Sequence, residues 1–144
     1  MSEPVRHIMT RNPTCCTPQT PLQEVAKMMV QHDCGCIPVL DGSGSGAPVG
    51  TITDRDITCR TLAQGKNPLE MVVQDCMTSD CVTIHEDAGL NECVELMEKK
   101  KVRRILIVDS FGKCCGIVSQ ADIALTGDKK KTGEVVQKVS EPAG

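Results

Sequence analysis

The sequence predicts a mixed α/β (α+β) fold made of two copies of one strand-helix-strand-strand-helix unit. Two observations predict it. Residues 5–41 align without a gap on residues 73–109, at an offset of 68. Within each copy the apolar residues follow a helical period and then gather into short strand-like runs bounded by Asp and Gly.

The identical positions are Val5/Val73, Met9/Met77, Thr10/Thr78, Leu22/Leu90, Glu24/Glu92, Met29/Met97, Ile37/Ile105 and Asp41/Asp109. Past the aspartates the offset becomes 66, because "DGSGSGAPVG" is two residues longer than "DSFGKCCG". "GTITDRDI" then falls on "GIVSQADI".

In chain order, "TPLQEVAKMMV" sets Leu22, Val25, Ala26, Met29 and Val30 at helical spacing. Thr20 is expected as its N-cap, Pro21 as the first helical residue, and Gln23 as the partner closing a capping box. The second copy repeats the stripe with Leu90, Cys93, Val94 and Met97. "CIPVL" and "RILIV" read as buried strands, and "APVGTIT" and "CCGIVS" as the strands that follow glycine-containing turns. A second helix is expected to begin at Thr53 and at Ser119, the first of these ending near Gly65. "GKNPLE" is the natural boundary, so the repeats are expected at 1–66 and 67–127. Residues 128–144 are polar and are expected to form a flexible tail, with a short helix around residues 135–139 as the alternative.

Charge and composition exclude some functions. With 16 basic against 19 acidic residues the net charge is -3, so no global positive field recruits nucleic acid or an anionic membrane. One Phe and no Trp or Tyr leave almost nothing on which bases could stack. No apolar run approaches the roughly 20 residues of a membrane span, and "MSEPVRHIMT" has no apolar signal core, so a cytoplasmic location is expected. Most of the ten cysteines are accordingly read as reduced, in a core of aliphatic, Met and Cys side chains.

Candidate chemistry centres on the paired T/S-x-x-D stretches. Thr53 with Asp56, and Ser119 with Asp122, suit a capping box, in which hydroxyl and carboxylate satisfy each other's backbone N–H. The same geometry suits a ligand: a helix start offers free N–H groups to a phosphate, and a carboxylate one turn on accepts two bonds from a ribose diol. Both readings stand at this point.

"IMT" and "CMT", "CIPVLD" and "RILIVD", and "GTITDRDI" and "GIVSQADI" resemble, in that order, the markers of tandem cystathionine-beta-synthase (CBS) domain pairs. "HDCGCIPV" followed by "TDRDI" is particularly similar to small stand-alone bacterial members. The resemblance covers roughly residues 4–126. It implies two repeats packed sheet to sheet about a pseudo-twofold axis, a homodimer, and adenine nucleotide sites in clefts between the repeats.

Carried over position by position, the resemblance gives phosphate to Thr53 and Ser119 and ribose to Asp56 and Asp122. It gives adenine to Cys36, Ile37 and Pro38, and to Arg104, Ile105 and Leu106, where Leu106 departs from the family's proline. Ile37 and Ile105 read equally well as core strand residues. In the crossed arrangement the resemblance implies, Arg103 and Arg104 reach a phosphate held by Thr53 and Asp56, helped by Arg55, and the Ser119/Asp122 cleft is poor in positive charge. Lys99, Lys100 and Lys101 read as a solvated helix end.

No nucleophile elbow, P-loop or zinc-protease motif occurs, and His7, His32 and His85 have no ligand spacing. No enzyme activity, metal or required cofactor is expected. The expected function is a regulatory module that binds AMP, ADP or ATP and signals to an unidentified protein effector in trans, with no nucleic-acid or membrane partner. The alternative is a thiol-based redox or metal-binding protein on the same scaffold, using Cys34 and Cys36 with His32 nearby.

Overall fold

The computed structural model describes residues 3–126 and 129–141. In chain order the elements are β1 (Thr10–Arg11), α1 (Leu22–His32), β2 (Cys36–Leu40), β3 (Pro48–Thr53), α2 (Asp54–Arg60), β4 (Thr83–His85), α3 (Leu90–Lys100), β5 (Arg104–Val108), β6 (Cys114–Ser119), α4 (Gln120–Ala124) and α5 (Lys129–Ser140). Single 3-10 turns lie at Val5–His7, Leu62–Gln64, Pro68–Glu70 and Val73–Asp75.

The two apolar stripes form α1 and α3, which bury Leu22, Val25 and Met29 in one and Leu90, Cys93, Val94 and Met97 in the other. Both helices end on a left-handed non-glycine residue at the same repeat position, Asp33 (φ 49°) and Lys101 (φ 53°). The start of α1 differs from expectation. Pro21 is its N-cap without a side-chain cap, since the Leu22 N–H donates to the Met71 carbonyl (3.0 Å). Thr20 Oγ1 instead accepts from the Thr17 N–H (3.0 Å), so no Thr20/Gln23 capping box forms. α2 also stops earlier than expected, at Arg60: Thr61 breaks it (φ -120°, ψ -80°), and a separate turn leads to a left-handed Gly65.

The chain folds into two compact units, and they are not the sequence repeats expected at 1–66 and 67–127. The first unit is Pro13–Cys81; the second joins the chain up to Asn12 to the chain from Val82 onward. The two copies have exchanged their opening segments. In the second unit the N–H of Val5 donates to Ala88 (2.8 Å), Arg6 to Glu86 (3.2 Å) and Leu90 to Glu3 (2.7 Å). In the first, at the equivalent positions, Val73 donates to Thr20 (2.9 Å), Gln74 to Pro18 (2.9 Å) and Leu22 to Met71 (3.0 Å). Each opening segment thus satisfies its backbone groups on the chain ahead of the other copy's first helix.

In the second unit the sheet order is β1-β6-β5-β4, with β4 parallel to β5 and the other pairs antiparallel. In the first unit β2 and β3 pair antiparallel, and single bridges from Thr78 to Thr51 and from Cys16 to Val39 take the places of β1 and β4. One face of each sheet carries the core. Ile37, Val39 and Ile52 pack with Leu22 and Val25, and Ile105, Ile107 and Val118 pack with Leu90 and Met97.

The expected tail is instead α5, packed on α3 and α4, with Val135 fully buried and Val139 against the same core. Val135 and Val139, one helical turn apart, lie on its docked face. The ends of that stretch, 127–128 and 142–144, lie outside the described residues.

Candidate ligand site

The first unit builds one candidate site on the junction of β3 and α2. Thr53 ends the strand in extended geometry and caps the helix: its Oγ1 accepts from the Asp56 N–H (3.0 Å), and Asp56 Oδ2 accepts from the Thr53 N–H (3.1 Å). The second unit repeats this at β6 and α4. Ser119 Oγ accepts from the Asp122 N–H (3.2 Å), and Asp122 Oδ2 accepts from the Ser119 N–H (2.8 Å) and lies 3.2 Å from the Ser119 hydroxyl. The capping box is therefore present in both copies. It uses Oδ2 of each carboxylate, and Asp56 keeps Oδ1 directed toward Arg60 Nη2 at 3.9 Å.

Strand register sets what stands beside each cap. Cys36 is paired with Thr53, Ile37 with Ile52 and Pro38 with Thr51. At the equivalent ladder Arg104 is paired with Ser119, Ile105 with Val118 and Leu106 with Ile117. Residues directly opposite in an antiparallel pair share a face. The non-core face of the first unit thus presents Cys36, Pro38, Thr51 and Thr53, and that of the second presents Arg104, Leu106, Ile117 and Ser119.

Ile37 and Ile105 are fully buried on the opposite, core face, so their side chains are framework and only their main chain can meet a ligand. Leu106 is also buried (1% exposed), but on the face of Ser119. Arg55, Arg103 and Arg104 are exposed. Arg104 stands across from Ser119 in its own unit.

The exchange of opening segments places the other copy's Met-Thr segment against each candidate site. The Thr51 N–H donates to the Thr78 carbonyl (2.9 Å) and the Thr78 N–H to the Thr51 carbonyl (2.9 Å), so the "CMT" motif lies against "GTITD". A Cβ added at Gly50 would meet the Thr78 carbonyl oxygen and, at 2.5 Å, Met77 Cε. At the equivalent Gly116 it would meet Met9 Sδ and, at 2.9 Å, Cγ. These glycines are required by close approach rather than by backbone angle.

Arg60 was not singled out from the sequence. Its Nη1 donates to the carbonyls of Cys76 and Met77 (2.8 Å each), tying α2 to that motif beside Asp56. The signal available was its position four residues after Asp56, the spacing of a helical ion pair.

Cys34 lies in the turn after α1, and its side chain packs against the first core, whereas Cys36 opens β2 opposite Thr53. The thiols of Cys16 and Cys93 are both pushed up to about 12 by burial, with Cys36 adding a smaller upward push on Cys16. Buried neutral thiols of this kind are poor nucleophiles and poor metal ligands. Among the described residues no group of three or more His, Cys, Asp or Glu could hold a metal ion, and no helix is long and apolar enough to cross a membrane.

The CBS domain family model matches this chain twice, over residues 5–60 and 73–126. The chain belongs to the CBS domain family. It is 35% identical over 121 residues to the CBS domain-containing protein YhcV of Bacillus subtilis, 84% of this chain and 83% of that one. A Methanopyrus kandleri protein is 38% identical over 118 residues; the match takes in 82% of this chain but spans only 57% of the relative. Among solved structures, the CBS domain pair of protein MJ0100, in complex with 5'-methylthioadenosine and S-adenosyl-L-methionine, is 28% identical with a TM-score of 0.77, over 90% of this chain and 99% of that one.

Proposed function

We propose that this chain is a regulatory module that binds an adenosine ligand, AMP, ADP or ATP, at the T/S-x-x-D half-sites and signals to a protein effector in trans. The observation that carries the reading is that both units assemble the same parts: a cap hydroxyl, a carboxylate one turn on, and the other copy's Met-Thr segment against the adjacent strand. A similar pair, that of MJ0100, holds two adenosine-containing molecules.

In this proposal Thr53 and Ser119 contact phosphate while Asp56 and Asp122 contact ribose. Arg55 serves phosphate at the first half-site. Arg103 and Arg104 supply the cations of the second, since Arg104 is register-paired with Ser119. The main chain of Cys36, Ile37 and Pro38, and of Ile105 and Leu106, supplies the adenine edge. The module works by differential binding, the ligand favouring one arrangement that the effector reads. We further propose that it acts as a cytoplasmic homodimer and without catalytic activity of its own.

Calorimetry with AMP tests this. Asp56→Ala and Asp122→Ala are each expected to weaken one binding step at least tenfold, about 1.4 kcal/mol. Arg104→Ala is expected to weaken the step that Asp122→Ala weakens. Unchanged affinity in both aspartate variants would overturn the ribose assignment.

A further inference from the structure

At the first candidate site one guanidinium is held from two sides. Arg60, at the end of α2, donates through Nη1 to the carbonyls of Cys76 and Met77 (2.8 Å each), while its Nη2 stands 3.9 Å from Asp56 Oδ1. The other oxygen of Asp56 is committed to the cap, accepting from the Thr53 N–H (3.1 Å). Oδ1 is therefore the atom for which a ligand hydroxyl and Arg60 compete. The two carbonyls belong to the Met-Thr segment, whose Thr78 N–H donates to the Thr51 carbonyl of β3 (2.9 Å). A continuous path thus runs from the proposed ribose contact, through one side chain, to the segment bridged to β3. Thr126, at the equivalent position of the second unit, carries no charge and donates its hydroxyl to the Ile123 carbonyl within its own turn (2.7 Å).

We infer that Arg60 is a positioning residue that latches the Met-Thr segment of the first unit, and that a ligand hydroxyl bound to Asp56 loosens the latch. The inference rests on the ribose reading of Asp56 proposed above. A guanidinium offers its donors in a fixed plane, so one placement can serve a carboxylate and two carbonyls together. When hydroxyls donate to Oδ1, the carboxylate's charge is shared out. Arg60 is then left with two neutral acceptors, and with its side chain 44% exposed, water competes for them. Reciprocity fixes the sign: a ligand that loosens the latch is itself weakened by the latch, by the same factor. With threonine at that position of the second unit, occupancy of the first site changes the hold on its Met-Thr segment in a way the second does not copy. That asymmetry is what the effector reads.

The test is nuclear magnetic resonance on the full chain, labelled with nitrogen-15 throughout and carbon-13 in arginine. The Arg60 signals are assigned by their loss in Arg60→Lys, and hydrogen exchange is followed with and without AMP, occupancy being read by calorimetry. Saturating AMP is expected to speed exchange of the Arg60 guanidinium about two- to threefold. Asp56→Asn, which keeps an oxygen for the cap, is expected to show the faster rate without AMP and no further change with it. In ligand-free Arg60→Ala the Thr78 amide is expected to exchange about twofold faster, while Thr10, its counterpart paired with Ile117, stays unchanged. Unaltered circular dichroism verifies the fold of each variant. AMP that binds without speeding Arg60 exchange overturns the inference and leaves the ligand reading standing. So does AMP-induced release that persists in Asp56→Asn, or a Thr78 amide indifferent to Arg60→Ala. Calorimetry that detects no AMP binding overturns both readings.

Discussion

The first and second units are two solutions to one packing problem, and they agree in the backbone while differing at its edges. Exchange of opening segments, left-handed helix ends at Asp33 and Lys101, capping boxes at Thr53 and Ser119, and close approach at Gly50 and Gly116 recur in both. What differs is Cys36 against Arg104 across from the cap, Arg60 against Thr126 one turn past the carboxylate, and the packing of α5 on the helices of the second unit. Duplication has held the framework constant, so the differences mark where the two halves can have separate tasks.

The largest effect is expected where the frameworks match. Gly50→Ala drives a methyl into the Thr78 backbone, which cannot yield without breaking the bridge to Thr51, and should cost about 3 kcal/mol. Gly116→Ala meets the unbranched Met9 side chain at Sδ and Cγ rather than backbone at the closest approach, with the Thr10 carbonyl at 3.1 Å, and should cost about half as much. Urea midpoints rank the two. Equal losses would mean that the two approaches are equally rigid and that the units are more alike than their contacts indicate.

Next comes the helix that only one unit has. Val135→Ala removes two fully buried methyl groups and should cost about 2 kcal/mol, whereas Val30→Ala at an exposed position of α1 should change stability by less than about 0.5 kcal/mol. A thermal melt in which Val135→Ala is neutral would mean that α5 adds nothing to the second core.

Much of this was legible in the sequence. The strands, the stripes on α1 and α3 and the two capping boxes follow from local periodicity and cap chemistry, which are written within a dozen residues. The exchange of opening segments is long-range: Val5 bonds to Ala88 and Val73 to Thr20, and nothing local distinguishes that from each segment packing on its own copy. Thr20 failed as a cap because the helix starts one residue later than expected, at Leu22, whose N–H donates to the distant Met71 carbonyl, while Thr20 Oγ1 accepts from the Thr17 N–H. Three valines, Val135, Val136 and Val139, in a polar stretch gave too weak a period to show that α5 docks. The candidate residues Thr53, Asp56, Ser119 and Asp122 were read from the motif, but the placement of Arg104 beside Ser119 required the register of β5 on β6.

The smallest effect separates the two carboxylates. Arg60 holds the Cys76 and Met77 carbonyls with one guanidinium nitrogen and stands 3.9 Å from Asp56, while at its equivalent position Thr126 donates its hydroxyl to the Ile123 carbonyl (2.7 Å). Arg60→Ala leaves two carbonyls to water and should cost about 1 kcal/mol, since its side chain is 44% exposed and solvent takes over part of its role. Thr126→Ala loses one local bond and should cost about half that. The more telling measurement is AMP calorimetry on Arg60→Ala. Without the guanidinium, Asp56 Oδ1 loses a competing cation, so the step weakened by Asp56→Ala should tighten two- to threefold while the step assigned to Asp122 stays put. Movement of both steps together would show that the half-sites do not act separately.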